Sequence, residues 1–283
     1  MMTSILPEFH LNPNNILKAD SKVYFTRDRS IPFSISNQVL LGFGKDITNS
    51  HWSGYVAETS YSSPQRDFDT VCGSWIVQSV SSSSYVNAAQ WIGIGGATES
   101  SKTLIQTGTD SESTLNGVSY YAWYELCPSG AIVIPINIQA GNIISASVYL
   151  DELGSHNWQI HLSDITTGEQ FTSPVFNYDS GQLSAEWIEE NPNTLADFGI
   201  AQFGASFTHS TPDQAVMESG SSEYAPNNYT FNPNRVPEPP LYYISQLAYY
   251  KINMVVDGTL LASTSGLTGT HQSSFTVQWE NSS

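Results

Sequence analysis

Residues Ile144-Ser145-Ala146-Ser147-Val148-Tyr149-Leu150 and Trp158-Gln159-Ile160-His161-Leu162 decide the fold class. In the first stretch Ile144, Ala146, Val148 and Leu150 fall on one face, with Ser145 and Ser147 opposite. In the second, Trp158, Ile160 and Leu162 alternate with Gln159 and His161. A period of two with one apolar side is the signature of a half-buried antiparallel strand. Outward from this pair, the chain after residue 50 reads as short strands between turn clusters. The spans are 53–60, 68–78, 86–95, 102–108, 118–127, 131–137, 142–150, 156–163, 184–190, 197–207, 243–255 and 272–280. No segment sustains a 3.6 period with caps. Short strands at this spacing predict an all-β sandwich of two antiparallel sheets, concanavalin- or jelly-roll-like. Residues 210–241 carry Pro212, Pro226, Pro233, Pro237, Pro239 and Pro240, which predicts a long loop over an edge or end of the sandwich.

The 283 residues are 40% hydrophobic and only 12% charged, with 9 bases against 26 acids and a net charge of −17. Nucleic acid demands a basic face and is excluded as a partner; an anionic membrane surface is disfavoured on the same ground. The pI of about 4.4 fits a chain that avoids strong positive self-repulsion in acid, and equally an ordinary acidic protein kept in solution by its charge. Residues 1–50 hold five bases (Lys18, Lys22, Arg27, Arg29, Lys45) and four acids, leaving 4 bases and 22 acids beyond. The division expected is an N-terminal segment, 1–50, and a sandwich domain, 51–283. Cys72 and Cys127 leave the redox compartment open. Met1 to Pro7 lacks the charged-then-apolar pattern of a signal peptide.

The six histidines have no ligand spacing and HExxH and CxxC are absent, so neither metal nor cofactor is expected. No GxSxG elbow occurs. Gly93-Ile94-Gly95-Gly96 is not followed by a helix that could hold a phosphate, and Asp179-Ser180-Gly181 reads as a turn. Ser184-Ala185-Glu186-Trp187-Ile188-Glu189-Glu190 is more informative. On a strand, Glu186, Ile188 and Glu190 share one face and Trp187 and Glu189 take the other. From spacing alone, two carboxylates on one face suit a catalytic cleft or a solvated surface.

Six segments then form an ordered set: His51-Trp52-Ser53-Gly54-Tyr55; Phe68-Asp69-Thr70-Val71 with Ser74-Trp75; Gln90 to Gly96; Leu104-Ile105-Gln106-Thr107-Gly108-Thr109-Asp110; Tyr121-Ala122-Trp123-Tyr124-Glu125; and Ala185 to Glu190. In this order and spacing, over residues 51–207, the chain resembles the glutamic peptidases, or eqolisins. The resemblance implies a two-sheet sandwich and an acid-acting endopeptidase of polypeptide substrates, secreted and monomeric. It makes Gln106 and Glu190 the catalytic pair, with Trp91, Asp110, Trp123 and Glu125 lining the substrate cleft. It also implies an N-terminal propeptide, a role open to residues 1–50. The family's acids stand replaced by Gly95 and Tyr121, and Glu189 occupies an aliphatic position. Two other readings stay open: a non-catalytic sandwich binding carbohydrate or protein through Trp91 and Trp123, and a retaining glycosidase using two of Glu186, Glu189 and Glu190, whose carboxyls would stand about 5–5.5 Å apart.

Overall fold

The computed structural model describes residues 24–25, 44–60, 62, 68–81, 85–97, 103–151, 155–204, 215–218 and 242–281. Nineteen strands and one short 3-10 turn at Ile244–Gln246 make up the regular structure of these residues. The front sheet contains β1 (Tyr24–Phe25), β2 (Gly44–Asn49), β3 (Trp52–Glu58), β5 (Val86–Ile94), β6 (Ile105–Thr114), β7 (Gly117–Leu126), β8 (Ala131–Ile134), β13 (Ser184–Glu190) and β17 (Ala248–Val256). Its order is β2-β17-β3-β13-β5-β6-β7-β8-β1. The back sheet contains β4 (Phe68–Ile76), β9 (Ile143–Leu150), β10 (Asn157–Asp164), β11 (Gln170–Thr172), β12 (Phe176–Asn177), β14 (Ile200–Phe203), β15 (Ala215–Glu218), β16 (Tyr242–Tyr243), β18 (Thr259–Thr264) and β19 (Phe275–Trp279). There β11 and β12 edge β10, followed by β9 and β4. Beyond β4 come β14 and β15, and β14 leads on to β19 and β18.

One strand joins the two sheets. Residues 248–252 of β17 pair with β3, and Met254 to Val256 pair with β18, with a register shift between Met254 and Val255. The two alternating stretches that opened the sequence reading are β9 and β10, paired with Ile160 opposite Val148 and Leu162 opposite Ala146. Their apolar side meets Tyr55, Ala57, Ile92, Ile94, Ile105, Tyr124 and Trp187 of the front sheet in the main core. Two indoles tie the layers by hydrogen bonds. Trp187 Nε1 donates to the Cys72 carbonyl at 2.9 Å, and Trp75 Nε1 donates to Thr109 Oγ1 at 2.8 Å. A buried indole N–H without such a partner would be costly.

The all-β sandwich is as expected; several boundaries differ. The strand expected at 102–108 is β6 at 105–114; within 197–207 the strand β14 covers Ile200–Phe203, and 205–207 lie outside the described residues. Within the loop expected over 210–241, Ala215–Glu218 is a strand paired with β4; the other positions lie outside the described residues. Of the N-terminal segment 1–50, only 24–25 and 44–50 are described. Gly44–Asn49 pairs with β17 in parallel register across six residues, so its backbone belongs to the front sheet. Cys72 and Cys127 are both buried, and no disulfide joins them. Among the described residues no helix is long and apolar enough to cross a membrane, and no group of three or more His, Cys, Asp or Glu could hold a metal.

Candidate active site

The face of the front sheet turned away from the main core carries a second cluster: Val56, Ala89, Trp91, Ala97, Leu104, Trp123, Cys127, Ala131, Ile188, Tyr250 and Ile252. Residues directly opposite one another in antiparallel strands share a face, so the register sorts this surface into rows. The first row is Lys45, Tyr250, Val56, Glu186, Gly93, Gln106 and Glu125, on seven consecutive strands. The second is Ile188, Trp91, Gly108 and Trp123. The third is Trp52, Glu190, Ala89, Asp110 and Tyr121.

All six residues expected in the cleft therefore lie on one face, but the register divides them. Gln106 shares its row with Glu186 and Glu125. Glu190 stands four residues further along β13, in the row of Asp110. At ~3.3 Å rise and ~4.8 Å strand spacing, the Gln106 and Glu186 backbones are about 10 Å apart, and Gln106 and Glu190 about 16 Å. Two side chains bridge the first gap with a small molecule between them; they do not bridge the second. The pairing of Gln106 with Glu190 expected from the motif is thus not what the register brings together. Alternation places both acids on one face and cannot choose between them; the neighbouring strands do.

The residue between Glu186 and Gln106 is Gly93. A Cβ there would sit 3.0 Å from the Gln106 Cβ and 2.8 Å from Leu104 Cδ1, so only glycine leaves the gap clear. In the next row a Cβ on Gly108 would meet the Gln90 carbonyl at 2.3 Å and the Trp91 Cβ at 2.5 Å. The two indoles Trp91 and Trp123 close over that missing side chain.

Gln106 is fully buried. Its Nε2 donates to Glu125 Oε2 at 2.7 Å and lies 4.0 Å from Cys127 Sγ. A carboxylate only accepts, so this bond fixes which end of the amide faces Glu125. Oε1 of Gln106 is buried with no hydrogen-bond partner. An orphaned carbonyl in such a place calls for a donor. Glu186 is also fully buried. Burial pushes its carboxyl well above the usual range; the Ser184 hydroxyl opposes the shift and Glu58 adds to it.

Glu190 accepts a 2.9 Å hydrogen bond from Trp91 Nε1, and Trp91 packs edge-on against Trp52 at 5.1 Å between centroids. Glu189 points the other way. Its Oε1 accepts from Gln78 Nε2 at 2.8 Å inside the sandwich, and burial raises it well above the carboxylate range, opposed by Gln78 and reinforced by Asp110 and Glu190. Asp179 of the Asp-Ser-Gly triplet is exposed, 3.3 Å from His156 Nδ1, remote from this chemistry. Sequence reasoning missed Glu58, Lys45 and Tyr250. The alternation Trp52, Gly54, Val56, Glu58 along β3 held the signal for the first of them.

A comparison with curated protein sequences finds no match. Among solved structures, the fold is similar to that of scytalido-glutamic peptidase with a transition state analog inhibitor, at 20% identity, over 83% of this chain and 100% of that one, with a TM-score of 0.60. It is likewise similar to SCP-B, a member of the eqolisin family in complex with the tripeptide Ala-Ile-His, at 20% identity and the same coverage, with a TM-score of 0.57. At this identity the likeness is one of fold. The model of the Peptidase A4 family matches residues 50–227, a span that holds β3 to β15 and, apart from Lys45 and Tyr250, every residue of the three rows. This chain belongs to the Peptidase A4 family, the eqolisins, and is a peptidase.

Proposed function

We propose that this peptidase cleaves internal peptide bonds in weak acid, with Glu186 as general base and then acid and Gln106 as its partner. The observation that carries the reading is the Glu186-Gly93-Gln106-Glu125 row, with the buried Gln106 Oε1 left without a donor. A water above Gly93 would donate one hydrogen to Gln106 Oε1 and the other to Glu186. Glu186 takes the proton as the oxygen attacks the peptide carbonyl carbon. The carbonyl oxygen becomes an oxyanion and accepts from the second N–H of Gln106 Nε2, the first being held by Glu125. Glu186 then returns the proton to the amide nitrogen, the C–N bond breaks, and an acid and an amine leave. Glutamine cannot titrate, so only Glu186 can move the proton.

An extended polypeptide along the face would pass Trp91 and Trp123 and reach Asp110 and Glu190. In this reading Glu190, fixed by Trp91, binds substrate two rows from the chemistry. A raised Glu186 ionises above the ordinary carboxylate range.

The test is cleavage of a denatured protein between pH 3 and 7 by single variants, with circular dichroism confirming each fold. Glu186→Gln is expected to lose ~10²–10⁴ of the rate, and Gln106→Ala ~10²–10³ in kcat. Because both act on one transition state, their effects are expected to be far from additive. Glu190→Gln is expected to act mainly through KM. Loss of kcat in Glu190→Gln with a fully active Glu186→Gln would restore the pairing expected from the motif and refute this one.

A further inference from the structure

The carboxyl of Glu58 lies on the candidate active-site face and has no part in the chemistry above. It is buried. Alternation along β3 gives Glu58 the same side as Val56, and Val56 stands directly opposite Glu186. Glu58 itself stands opposite Ser184, so it is the diagonal neighbour of Glu186 on the adjacent strand. Diagonal Cβ atoms are ~7–8 Å apart, and two glutamate side chains cover that distance easily. On its other side Glu58 pairs with Ala248 of β17. Beyond β17, Lys45 of β2 pairs with Tyr250, with its Nζ 5.6 Å from the ring centroid. Tyr250 is in turn opposite Val56. Three strands thus bring Lys45, Glu58 and Glu186 to one stretch of one face.

Among the described residues, the register names the charged and titratable groups facing this stretch. Beside Glu58 stand Glu186 and the Ser184 hydroxyl on β13, Tyr250 on β17 and Lys45 on β2. Beside Glu186 stand Glu58, Gln106 on β6 and Glu125 on β7, with the Cys127 thiol 4.0 Å from Gln106 Nε2. Asp110 and Glu190 lie two rows away. Lys45 is the one cation among them.

We propose that Glu58 is a positioning residue for Glu186, and that Lys45 acts on Glu186 through Glu58. The inference rests on the assignment of Glu186 as the base. An ionised Glu58 repels the developing charge on Glu186 and delays its ionisation as pH rises; Lys45 keeps Glu58 ionised to lower pH. The directions of titration agree. Burial lifts Glu58 to about 7 with Lys45 opposing the rise, and Glu58 in turn lifts Glu186. The device gives a buried base an ionisation point set by residues of the adjacent strand β3 and of the parallel edge strand β2, two strands further out.

The experiment is the pH profile of kcat/KM for the full chain and its variants Glu58→Gln, Glu58→Asp, Lys45→Met and Glu186→Gln. The acidic limb reports the base in the free enzyme. Glu58→Gln is expected to move that limb down by on the order of one pH unit. Glu58→Asp, which keeps the charge, is expected to restore it. Lys45→Met lets Glu58 take its proton sooner and is expected to move the limb the same way by less. This arm stands even if Glu58→Gln does not fold. Direct attraction between Lys45 and Glu186 would give the opposite sign, so an upward shift in Lys45→Met overturns the relay. A limb in Glu58→Gln superimposable on the wild type overturns the proposal and leaves Glu186 as the base. Activity retained in Glu186→Gln sinks the assignment of the base itself.

Discussion

Glu186, Glu189 and Glu190 fall within five consecutive positions and meet three environments. Glu186 faces the candidate chemistry across a glycine, Glu190 is tied to an indole, and Glu189 is turned into the sandwich. Glu189 is costly to ionise, since burial raises its carboxyl well above the usual range, Asp110 and Glu190 add like charge, and only the Gln78 hydrogen bond opposes the shift. Protonated, it can be a donor as well as an acceptor, which suits a buried site. Its folded pKa lies above its unfolded one. The stability it contributes is therefore fully present below the unfolded pKa and is lost as pH rises through the folded value. Glu189→Gln keeps the shape and the Gln78 contact while removing the ionisation. Thermal melts are expected to show little change for this variant at pH 4 and a higher Tm than wild type at pH 8, with peptide cleavage unaffected. An equal Tm difference at both pH values would mean that Glu189 does not titrate in the fold.

At the scale of elements, the sequence was most readable where one face of a strand is polar. β9, β10 and β13 announce themselves by alternation, and the motif residues fell on one face because alternation along each of their strands is strict. What one strand cannot encode is register against the next. The choice between Glu186 and Glu190 depends on Gly93 standing opposite both Glu186 and Gln106, a relation among three separate segments. Strand β2 was missed for a related reason. Its residues Gly44-Lys45-Asp46-Ile47-Thr48-Asn49 are polar and half exposed, as edge strands tend to be, so no apolar face marks them. Its parallel backbone ladder to β17 carries a consequence for the proposed propeptide. A removable segment is expected to end before Gly44 and not at residue 50. A chain of residues 44–283 is expected to melt close to the full-length protein. A chain of 51–283, stripped of the ladder and of Lys45, is expected to melt lower and to show an altered pH profile. Acid incubation of the full chain, followed by N-terminal sequencing of the product, checks the boundary. A fully stable, fully active 51–283 would place β2 with the propeptide.

The whole molecule combines 22 acids and 4 bases beyond residue 50 with several carboxyls that the fold buries. Burial raises Glu58, Glu112, Glu186 and Glu189, most strongly the last two. Each folds more favourably with its proton on, so each withdraws stability as pH climbs through its folded value; for Glu58 that is near pH 7. His161 works from the other side. Burial lowers it to about 4, so its contribution is present above the ordinary imidazole value of ~6.5 and is lost as pH falls toward 4. Four carboxyls bound the fold above and one imidazole bounds it below. The Tm is accordingly expected to be higher at pH 5 than at pH 8, with His161 withdrawing part of the gain between about pH 6.5 and pH 4. Scanning calorimetry at intervals of one pH unit, in buffers of constant ionic strength, measures the curve. The same titration bears on the proposed reaction, in which Glu186 must lose its proton to act as base while the fold prefers it protonated. If Glu186 is that base, activity and stability are expected to run in opposite directions as pH climbs through its titration, with kcat/KM rising where Tm declines. A Tm that rises steadily to pH 8 would show that these buried carboxyls are ionised in the native protein, and that some compensating contact holds them so.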